Sequence, residues 1–375
     1  MKVLITTTGG LGHTQPVVPL ALELERRGHD VHWVGGPGVE ATVAGTGIDC
    51  TVAGMLPAQR LVELRRMHPD LDTLPPHEAR AIAFRVHFAV LAAPALLEAL
   101  RPLVTEWQPD VVVHDAAELA GPLAAAAAGI PSVCQGFGEV VPEATVRGAG
   151  TVLAPAWEAA GLAPDPYGGS YRGLYVDIYP PSLCSADMAH IPQVQLRRPA
   201  AGTPASGSLV YVTFGTVFND VDDGFRAAVR GASAVADEVL VTVGPAGDPD
   251  GVGAMPPNVR VERFVPQDEV LPRCTAVVCH GGSGTMLASL AHGIPLVCVP
   301  RAADQFRNAA NLARVGAGVS LTGDDVSEAG VRTAMGQILG TPDLRTAARG
   351  LAEEIAAMPS DAETAAAIEA FVAAG

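Results

Sequence analysis

The chain opens with the stretch KVLITTTGGLGHTQPVVPLALELERRGHDVHWV, residues 2–34. Its first part, residues 2–8, is an apolar and β-branched run that is typical of a buried strand. A glycine turn at residues 9–12 leads into a helical pattern at residues 16–27, which has a proline in its first turn and a glycine directly after its end. Residues 31–34 are again apolar and β-branched. This stretch therefore predicts a β-α-β unit.

Length and composition restrict the class of protein. With 375 residues, 49% of them hydrophobic and 17% charged, the chain is long enough for two globular domains. A formal net charge of −16 would repel nucleic acid. Apolar runs such as Leu119 to Ile130 are shorter than a membrane span, and Met1 and Lys2 lead directly into strand-like residues. We expect a cytoplasmic protein without a membrane span, in an oligomeric state that the sequence leaves open.

The alternation of strands and helices continues through the first half of the chain. Residues 111–114 are the next strand, residues 119–128 form an alanine-rich helix, and residues 131–134 are a further strand. This alternation is typical of a parallel, doubly wound sheet. At residues 181–206 the pattern gives way to prolines, glycines and serines, which indicate a linker after a first domain at 1–180.

The second half, residues 207–358, repeats this architecture without repeating the sequence. Its first strand ends in the turn Gly215-Thr216, and a helix follows. The predicted strands are Leu209–Phe214, Val239–Val243, Val259–Val261, Ala276–Cys279 and Leu296–Val299. We therefore predict a second doubly wound domain.

The motif CHGGSGT, residues 279–285, lies between a strand and the helix at residues 286–291. Small residues at such a position let an anion approach backbone amides, the helix dipole favours its charge, and the hydroxyls of Ser283 and Thr285 add donors. The alternative is a strand-to-helix turn that needs glycine only for its shape. We expect a phosphate site, and His280 beside the glycines favours this interpretation.

Four segments of the second half together resemble a known family. They are FVPQ at 264–267, HGGSGT at 280–285, HGIP at 292–295, and Pro300 followed by Asp304-Gln305. In this order and spacing they look like the donor signature of inverting family 1 glycosyltransferases of the GT-B fold. Within that family the chain is most similar to the bacterial natural-product branch, which includes the enzymes that glycosylate enediynes of the calicheamicin type, macrolides and aromatic polyketides.

The resemblance implies a fold and a division of labour. GT-B enzymes consist of two Rossmann-like, doubly wound α/β domains that face each other across a cleft. Residues 1–180 would bind the acceptor and supply the catalytic base, and residues 207–358 would bind the nucleotide sugar. Residues 359–375 would form a C-terminal helix that returns to the N-terminal domain.

The resemblance also assigns the donor-binding residues. The ring of Phe264 would pack on the base, and the Val265 backbone would read the pyrimidine edge. Asp304 and Gln305 would bind the sugar hydroxyls. Thr216 would approach the donor phosphates from the other side, and an ordinary turn threonine is its alternative role. The residues implied to hold the diphosphate are His280, Gly282, Ser283, Gly284 and Thr285.

One departure from the family concerns the donor nucleotide. Plant relatives that use UDP-sugars carry a ribose-binding glutamate where this chain has Ala288. Bacterial relatives that transfer deoxysugars often lack this glutamate and use thymidine diphosphate (TDP) sugars. We therefore expect a TDP-sugar as co-substrate, with a UDP-sugar as the alternative, and no other cofactor.

His13, directly after the glycine turn and just ahead of the first helix, is the candidate general base. A helix N-terminus disfavours imidazolium, so the ring would stay neutral and able to accept a proton. Such a base usually needs a carboxylate on its other nitrogen. Asp115 ends a strand at the edge where parallel sheets bind ligands, and the family's dyad aspartate also follows this strand. Glu118 is the second candidate, and helix capping is the alternative role for His13 and Asp115.

Two other kinds of site are disfavoured. The early glycines do not match the dinucleotide-binding pattern GxGxxG, because Gln15 stands at the third glycine position. Asp248-Pro249-Asp250 superficially matches the DxD element of metal-dependent glycosyltransferases, but it lies in a run of turn formers. Because the loop at 280–285 can hold a diphosphate, we expect no metal ion.

These observations predict an inverting transfer of a deoxysugar from a nucleotide diphosphate to a hydroxyl of an apolar aglycone. A nucleotide-sugar epimerase of the same fold and a catalytically silent binding partner are the alternatives. An epimerase would need carboxylates for proton transfer at the sugar, and the sequence shows no obvious set of them. The presence of His13 and Asp115 argues against a silent binding partner. Side chains that could line an acceptor pocket, each with core packing as the alternative, are Met55, Met67, Phe84, Phe88, Phe137, Trp157 and Tyr167.

Overall fold

The computed structural model describes residues 1–215 and 221–374. It forms two compact units. The first contains residues 1–178, 186–197 and 359–374, and the second contains residues 179–185 and 198–358. Each unit is built around its own parallel sheet with helices on both faces, so the predicted fold class of two doubly wound α/β domains is confirmed.

Seven strands form the sheet of the first unit. They are β1 (Lys2–Thr7), β2 (Asp30–Gly35), β3 (Asp49–Val52), β4 (Val111–Asp115), β5 (Ser132–Gln135), β6 (Leu174–Asp177) and β7 (Val194–Leu196). Six strands form the sheet of the second unit. They are β8 (Leu209–Thr213), β9 (Val239–Thr242), β10 (Val259–Glu262), β11 (Cys274–Cys279), β12 (Leu296–Cys298) and β13 (Gly318–Ser320).

The helices are α1 (Leu11–Thr14), α2 (Val18–Arg26), α3 (Val39–Val43), α4 (Pro57–Met67), α5 (Pro76–Phe84), α6 (Ala93–Glu106), α7 (Ala120–Ala128), α8 (Glu143–Ala159), α9 (Asp223–Ser233), α10 (Gln267–Val270), α11 (Ser283–Ala291), α12 (Gln305–Arg314), α13 (Glu328–Gly340), α14 (Pro342–Ala357) and α15 (Asp361–Ala374). A π-helical segment, Arg85–Ala92, joins α5 to α6.

The two sheets have corresponding strand orders. The first runs β3-β2-β1-β4-β5-β6-β7 and the second runs β10-β9-β8-β11-β12-β13. In each sheet the strand order reverses between the first strand and the fourth, β1 and β4 in one unit and β8 and β11 in the other. Ligands of doubly wound folds bind at the carboxyl ends of the strands beside such a switch point. The fold therefore offers one candidate site in each unit.

Strand alternation divides the core of the first unit between the two faces of its sheet. Val3 and Ile5 of β1 pack on one face with α2, and Leu4 packs on the other with α6 and α7. In the second unit Val210 and Val212 of β8 belong to one large buried cluster with α9 and α13. Strands that are buried on both faces have nearly continuous apolar runs, which is why the sequence predicted them.

The predicted linker at residues 181–206 differs from the structure. Val194–Leu196 within it form β7, which pairs in parallel with β6 as the edge of the first sheet. Residues 186–197 therefore belong to the first unit, and the second begins with residues 179–185 and continues from 198. The three-residue strand is too short to produce a visible alternation among the prolines and serines around it.

Residues Pro76–Glu106 form one continuous helical run of 31 residues, which the sequence analysis did not predict. A window within it has a mean hydropathy of 1.5, so by length and composition the run could cross a membrane. Ala89, Leu96 and Leu100 on one side of it pack instead against the sheet and α7 of the first unit. Length and composition are therefore weak evidence here for a membrane span.

The C-terminal helix α15 packs against α2, with Ala365 and Ile368 in the same buried cluster as the residues of that helix. At its first residue, Asp361 lies 3.1 Å from Nε of the buried Arg197. Both terminal nitrogens of Arg197 donate to the carbonyl of Pro16, at 2.8 and 2.9 Å. The end of the chain is thus connected to the turn that precedes α2.

Candidate active site

His13 and Asp115 lie in contact at the switch point of the first sheet. His13 follows β1, Asp115 ends β4, and Nδ1 of the ring is 3.2 Å from Oδ1 of the carboxylate. The Asp115 side chain is fully buried, and 23% of the His13 side chain is exposed. With Nδ1 facing a carboxylate, the neutral ring carries its proton there and presents Nε2 as the proton acceptor.

Two backbone amides fix the carboxylate of Asp115. Its Oδ2 accepts a hydrogen bond from the amide of Thr8 at 2.8 Å, and its Oδ1 accepts one from the amide of Ala117 at 2.8 Å. Asp115 therefore holds the loops after β1 and β4 together while it faces His13. It does not cap α7, because that helix begins only at Ala120.

The second candidate carboxylate, Glu118, is engaged elsewhere. It accepts the amides of Ala120 and Gly121 at 2.6 and 2.8 Å, and the hydroxyl of Thr6 donates to it as well. It thus caps the start of α7 from a fully buried position, and this burial raises the pKa of Glu118 to about 7. The geometry favours Asp115 as the carboxylate for His13.

The local structure around His13 corrects one sequence expectation. His13 precedes α2, the helix predicted at residues 16–27, but it also lies in the last turn of a separate one-turn helix, α1. The argument from a helix N-terminus therefore does not apply to it. Gly9, at a φ of +75°, permits the sharp turn, and a Cβ there would come within 2.5 Å of the carbonyl of Gly36. The glycine turn thus lets the loop after β1 pass close to the loop after β2.

Aromatic side chains flank the His13 ring. The ring centroid of Phe137 is 4.5 Å away and that of Phe88 is 5.4 Å away, both in edge-to-face geometry. Phe84 stacks edgewise on Phe88 at 4.9 Å. Of the predicted acceptor-lining residues, these three lie at or near His13, whereas Trp157 is wholly buried in the core. The base therefore faces an apolar environment.

The other predicted lining residues lie at the surface or partly buried. Met67, at the end of α4, is 40% exposed, and Met55 precedes that helix. Tyr167 donates its hydroxyl to Glu143 and accepts a hydrogen bond from Arg147. Tyr167 packs against the same buried cluster as Phe84 and Phe137, two of the residues at or near His13.

The second candidate site lies at the switch point of the second sheet. His280 follows β11, and its ring lies against Gly215 after β8 and against Gly282 at the start of α11. Burial lowers the pKa of His280 to about 4, so the ring is neutral at pH 7. Its buried Nδ1 has no hydrogen-bond partner within residues 1–215 and 221–374. A neutral imidazole with an unused nitrogen beside a helix N-terminus suits a polar ligand.

Ser283 to Thr285 form the first turn of α11, whose N-cap is Gly282. Gly284 is exposed there, and a Cβ at this position would contact nothing within 4 Å. The hydroxyl of Thr285 accepts a hydrogen bond from Gln267 at 3.0 Å, and that of Ser283 donates to Asp304 at 2.8 Å. The backbone amides of this turn are the groups that a phosphate would meet.

The two residues predicted to bind sugar hydroxyls have different surroundings. Oδ2 of Asp304 accepts from Ser283 and, at 3.0 Å, from Asn308. The side-chain oxygen of Gln305 accepts the amides of Arg301 and Ala302 at 2.8 and 2.9 Å, so it is occupied in stabilising its own loop. Asp304 is partly exposed, whereas Gln305 is buried. Asp304 is therefore the more accessible of the two.

The predicted nucleoside-binding residues lie in the loop between β10 and α10. Phe264 is 57% exposed, a rare state for a large aromatic side chain, and Val265 beside it is partly buried. An exposed ring of this kind offers a stacking surface for a base. Thr216 lies outside the described residues.

Three further polar residues at the two sites were not found from the sequence. Asn308, fully buried, bonds to the carbonyl of Gly281 and to Ser283 and Asp304, so it fixes the loop that follows β11. Asn308 could have been found from its spacing of four residues from Asp304, because residues four apart on a helix are neighbours. Arg301 stacks on Phe214 at 4.2 Å, and the buried Arg60 lies 5.8 Å from the ring of Phe88, which flanks His13. Their positions in the sequence gave no signal.

The predicted DxD-like pair is part of a surface turn. The side chain of Asp248 accepts the amide of Asp250 at 3.1 Å and so caps the 3₁₀ turn Pro249–Val252. Both aspartates are exposed. In the described part of the chain, no group of three His, Cys, Asp or Glu side chains is arranged to hold a metal ion.

Comparisons with known proteins place both units in one family. The model of the erythromycin biosynthesis protein CIII-like N-terminal domain matches residues 23–183, and the corresponding C-terminal domain model matches residues 227–371. The L-demethylnoviosyl transferase of Streptomyces niveus is 33% identical over 385 aligned positions, which span 96% of each chain. The similarity is therefore not confined to the donor motif.

Solved structures are similar over the same length. The glycosyltransferase VinC in complex with dTDP matches with a TM-score of 0.82 and 25% identity, covering 100% of both chains. The spinosyn rhamnosyltransferase SpnG, complexed with thymidine diphosphate, matches with a TM-score of 0.80 and 26% identity over 98% of this chain and 100% of the other. SpnG has also been solved with the spinosyn aglycone.

Proposed function

The chain belongs to the erythromycin biosynthesis protein CIII-like family of bacterial antibiotic glycosyltransferases with the GT-B fold, and from this premise we propose an inverting sugar transfer with His13 as general base. It is thus a glycosyltransferase of natural-product biosynthesis. The observation that carries the proposal is the 3.2 Å contact between Nδ1 of His13 and Oδ1 of Asp115 at the switch point of the first sheet.

In the proposed step an acceptor hydroxyl gives its proton to Nε2 of His13 as its oxygen attacks the anomeric carbon of the donor sugar. The bond between that carbon and the diphosphate oxygen breaks, and the nucleoside diphosphate leaves with the electron pair. Attack from the side opposite the leaving group inverts the configuration. Asp115 holds the ring in the productive tautomer and stabilises the imidazolium that forms.

We propose that the leaving diphosphate binds at the start of α11. The backbone amides from Ser283 to Thr285 and the helix dipole would meet its charge, and the neutral ring of His280 would supply a hydrogen bond. Asp304 would orient the sugar, since its carboxylate is already fixed by Ser283 and Asn308. The exposed Phe264 would stack on the base, with the Val265 backbone at the pyrimidine edge. Thr216 and Gln305 keep their predicted donor-binding roles in this proposal.

The donor nucleotide we propose is TDP. VinC and SpnG have been solved with this nucleotide, and Ala288 leaves this chain without the glutamate found in plant relatives that use UDP-sugars. A UDP-sugar is the alternative. Because backbone amides can meet the diphosphate charge, we propose that the enzyme needs no metal ion and no other cofactor, and that it works in the cytoplasm.

The acceptor we propose is an apolar aglycone. Phe137 and Phe88 contact the His13 ring edgewise, so a hydroxyl that reaches Nε2 must enter between apolar surfaces. Such surfaces favour a hydrophobic ring system and keep water from competing with the acceptor. The structure of SpnG with its aglycone is a related case.

The test incubates the enzyme with dTDP-L-rhamnose or dTDP-glucose, with and without a panel of polyketide and coumarin aglycones. Transfer predicts that dTDP and a β- or α-glycoside of inverted configuration appear only when an acceptor is present. Release of an epimerised nucleotide sugar without any acceptor would contradict the proposal. Thermal-shift measurements with dTDP and UDP then compare the nucleotides directly, since a bound ligand raises apparent stability.

A further inference from the structure

Arg60 on α4 is a buried arginine in a mostly exposed helix. Only 4% of Arg60 is exposed, whereas Leu61 and Val62 beside it are 44% and 65% exposed. Arg65, five residues further along the helix, is exposed as well. Burying a guanidinium while apolar neighbours face solvent reverses the ordinary hydrophobic pattern. The position of Arg60 therefore has a cause other than the folding of α4.

The hydrogen bonds of Arg60 are few and long. Its Nη2 donates to the carbonyl of Thr8 at 3.4 Å and its Nη1 to the carbonyl of His87 at 3.5 Å. Its buried Nε has no hydrogen-bond partner within residues 1–215 and 221–374. Burying a cation with so little compensation costs stability, and a hydrophobic side chain of similar volume would fit more favourably. The few hydrogen bonds of Arg60 therefore do not account for the burial of its charge.

These contacts place Arg60 between two elements that meet at His13. The amide of Thr8 donates to Oδ2 of Asp115, while its carbonyl accepts from Arg60. His87 belongs to the π-helical segment, where the next residue, Phe88, lies 5.4 Å from the His13 ring and 5.8 Å from the guanidinium carbon. Short π-helical segments often mark functional sites. Arg60 thus bridges the loop after β1 and this segment.

The positive charge of Arg60 interacts with Asp115 and His87. Burial lowers the pKa of Arg60, and the negative charge of Asp115 opposes this effect. Burial, assisted by the positive charge of Arg60, lowers the pKa of His87 to about 4. The guanidinium thus interacts electrostatically with Asp115, the carboxylate that contacts the His13 ring.

We propose that Arg60 is a positioning residue for the transfer reaction, which holds the π-helical segment against the loop after β1 and disfavours protonation of the general base by its charge. The inference rests on the proposed role of His13. The other titratable groups around the His13 ring are Asp115 from β4, His87 from the π-helical segment, and Glu118 at the start of α7. Of these, His87 also loses the charge of Arg60 in such a variant, so its pKa would rise as well.

The test compares Arg60→Gln and Arg60→Lys in the complete chain, with Arg65→Gln as the matched control because it removes one exposed charge from the same helix. The readouts are kcat and the pH dependence of kcat/KM for the acceptor, with melting temperature and dTDP affinity as measures of folding. Arg60→Gln should lower kcat about tenfold or more, because the base and Phe88 lose their support. It should also move the acid-side midpoint of the kcat/KM profile upward by roughly half a pH unit or more, since protonation of the base is no longer opposed.

Arg60→Lys should have the wild-type midpoint of the kcat/KM profile, because the positive charge remains. Its kcat should still be lower than that of the wild type, because one ammonium group cannot bond to the carbonyls of both Thr8 and His87. Arg65→Gln should match the wild type. Glu118, with a pKa of about 7, could itself titrate in the pH range of the kcat/KM profile. The upward shift of the midpoint caused by Arg60→Gln should therefore also appear when Arg60→Gln is combined with Glu118→Gln. A merely structural role would lower the melting temperature and kcat without moving the midpoint.

An unchanged midpoint in Arg60→Gln would overturn the inference. If Arg60→Gln does not fold, a shifted midpoint or a wild-type kcat in Arg60→Lys would overturn it instead. Full turnover in His13→Ala would mean that the proposed function is wrong. Loss of turnover in His13→Ala together with an unshifted Arg60→Gln profile would reject only the role of Arg60.

Discussion

The imidazole of His280 lies so close to Gly215 that a Cβ on residue 215 would come within 2.7 Å of its Cε1. Gly215 also has a φ of +76°, which side-chain-bearing residues rarely adopt. The loops after β8 and β11 are therefore in direct contact at the switch point of the second sheet. This contact fixes the orientation of His280.

Gly215→Ala should weaken donor binding. The new methyl group would displace His280 and strain the turn by about 1–2 kcal/mol. We expect the Kd for dTDP to rise about tenfold or more in isothermal titration calorimetry. Gly336→Ala is the matched control, because a Cβ at that position on α13 contacts nothing within 4 Å. Equal affinities in wild type and Gly215→Ala would contradict the assigned site.

His13→Ala should abolish transfer and leave dTDP affinity nearly unchanged, because His13 belongs to the first unit and the proposed diphosphate site to the second. We expect kcat to fall by roughly 10³-fold or more, since the reaction loses its base and the alignment of its acceptor. His280→Ala should instead raise the KM of the nucleotide sugar. Single-turnover rates and calorimetry separate the two effects. A His13→Ala enzyme with a substantial fraction of wild-type turnover would exclude the general-base role.

Asp115→Asn should be nearly as severe as loss of the base. An amide in place of the carboxylate no longer stabilises imidazolium and can select the wrong tautomer of His13, at a cost on the order of 10³-fold in kcat. Glu118→Gln is the comparison, because Glu118 is buried nearby but caps α7. That variant should lose stability while keeping most of its kcat. The reverse order of the two kcat values would show that the wrong carboxylate had been assigned.

His114 should make the protein less stable in acid. It is buried on β4, and this burial lowers its pKa to about 4. Between pH 6.5 and 4 the unfolded chain binds a proton that the folded chain does not, so this contribution to stability is complete above pH 6.5 and is lost as the pH falls towards 4. Burial lowers the pKa of His87 and His280 in the same direction.

His114→Leu should therefore lose less stability than the wild type when the pH is lowered from 7.5 to 4.5, by up to about 2.5 kcal/mol. Melting temperatures of both proteins at the two pH values test this. Parallel decreases in the two proteins would mean that His114 is not the titrating group.

Transfer should survive chelation. The aspartates of the DxD-like pair are exposed, and Asp248 accepts the amide of Asp250 in a surface turn. Activity in excess EDTA should equal the untreated rate, and the double variant Asp248→Ala, Asp250→Ala should change kcat less than twofold while losing up to about 1 kcal/mol of stability with the cap. Loss of turnover on chelation, restored by Mg²⁺ or Mn²⁺, would reject both the metal-free mechanism and the assigned phosphate site.

The sequence predicted the central strands well because they are buried on both faces. The runs that became β1, β4, β8 and β11 are continuous and apolar, and their predicted limits differ from the observed ones by no more than two residues. Four strands were missed. The edge strands β3, β7 and β13 have three or four residues each and are partly exposed, so neither an apolar run nor an alternation marks them. The interior strand β6 is buried but has only four residues, too few to mark it among the turn formers before it.

The contact between His13 and Asp115 could be predicted because parallel strands bring their carboxyl ends to one edge. The contacts of Arg60 and of the Gln305 side-chain oxygen could not. Arg60 is separated from its partner Thr8 by 52 residues, and nothing in its own helix indicates burial. Gln305 matched the donor signature, but its oxygen bonds to the amides of Arg301 and Ala302, a detail of loop geometry that residue types do not specify.

The attachment of α15 to α2 has a consequence for biosynthesis. A ribosome delivers all residues of the second unit, up to residue 358, before it delivers Ala365 and Ile368, which complete the core of the first. Domains generally fold as units during synthesis. The apolar side of α2 is therefore still uncovered, and Arg197 still lacks Asp361, when the last residue of the second unit has been translated. The unit whose translation begins first is thus the one whose core is completed last.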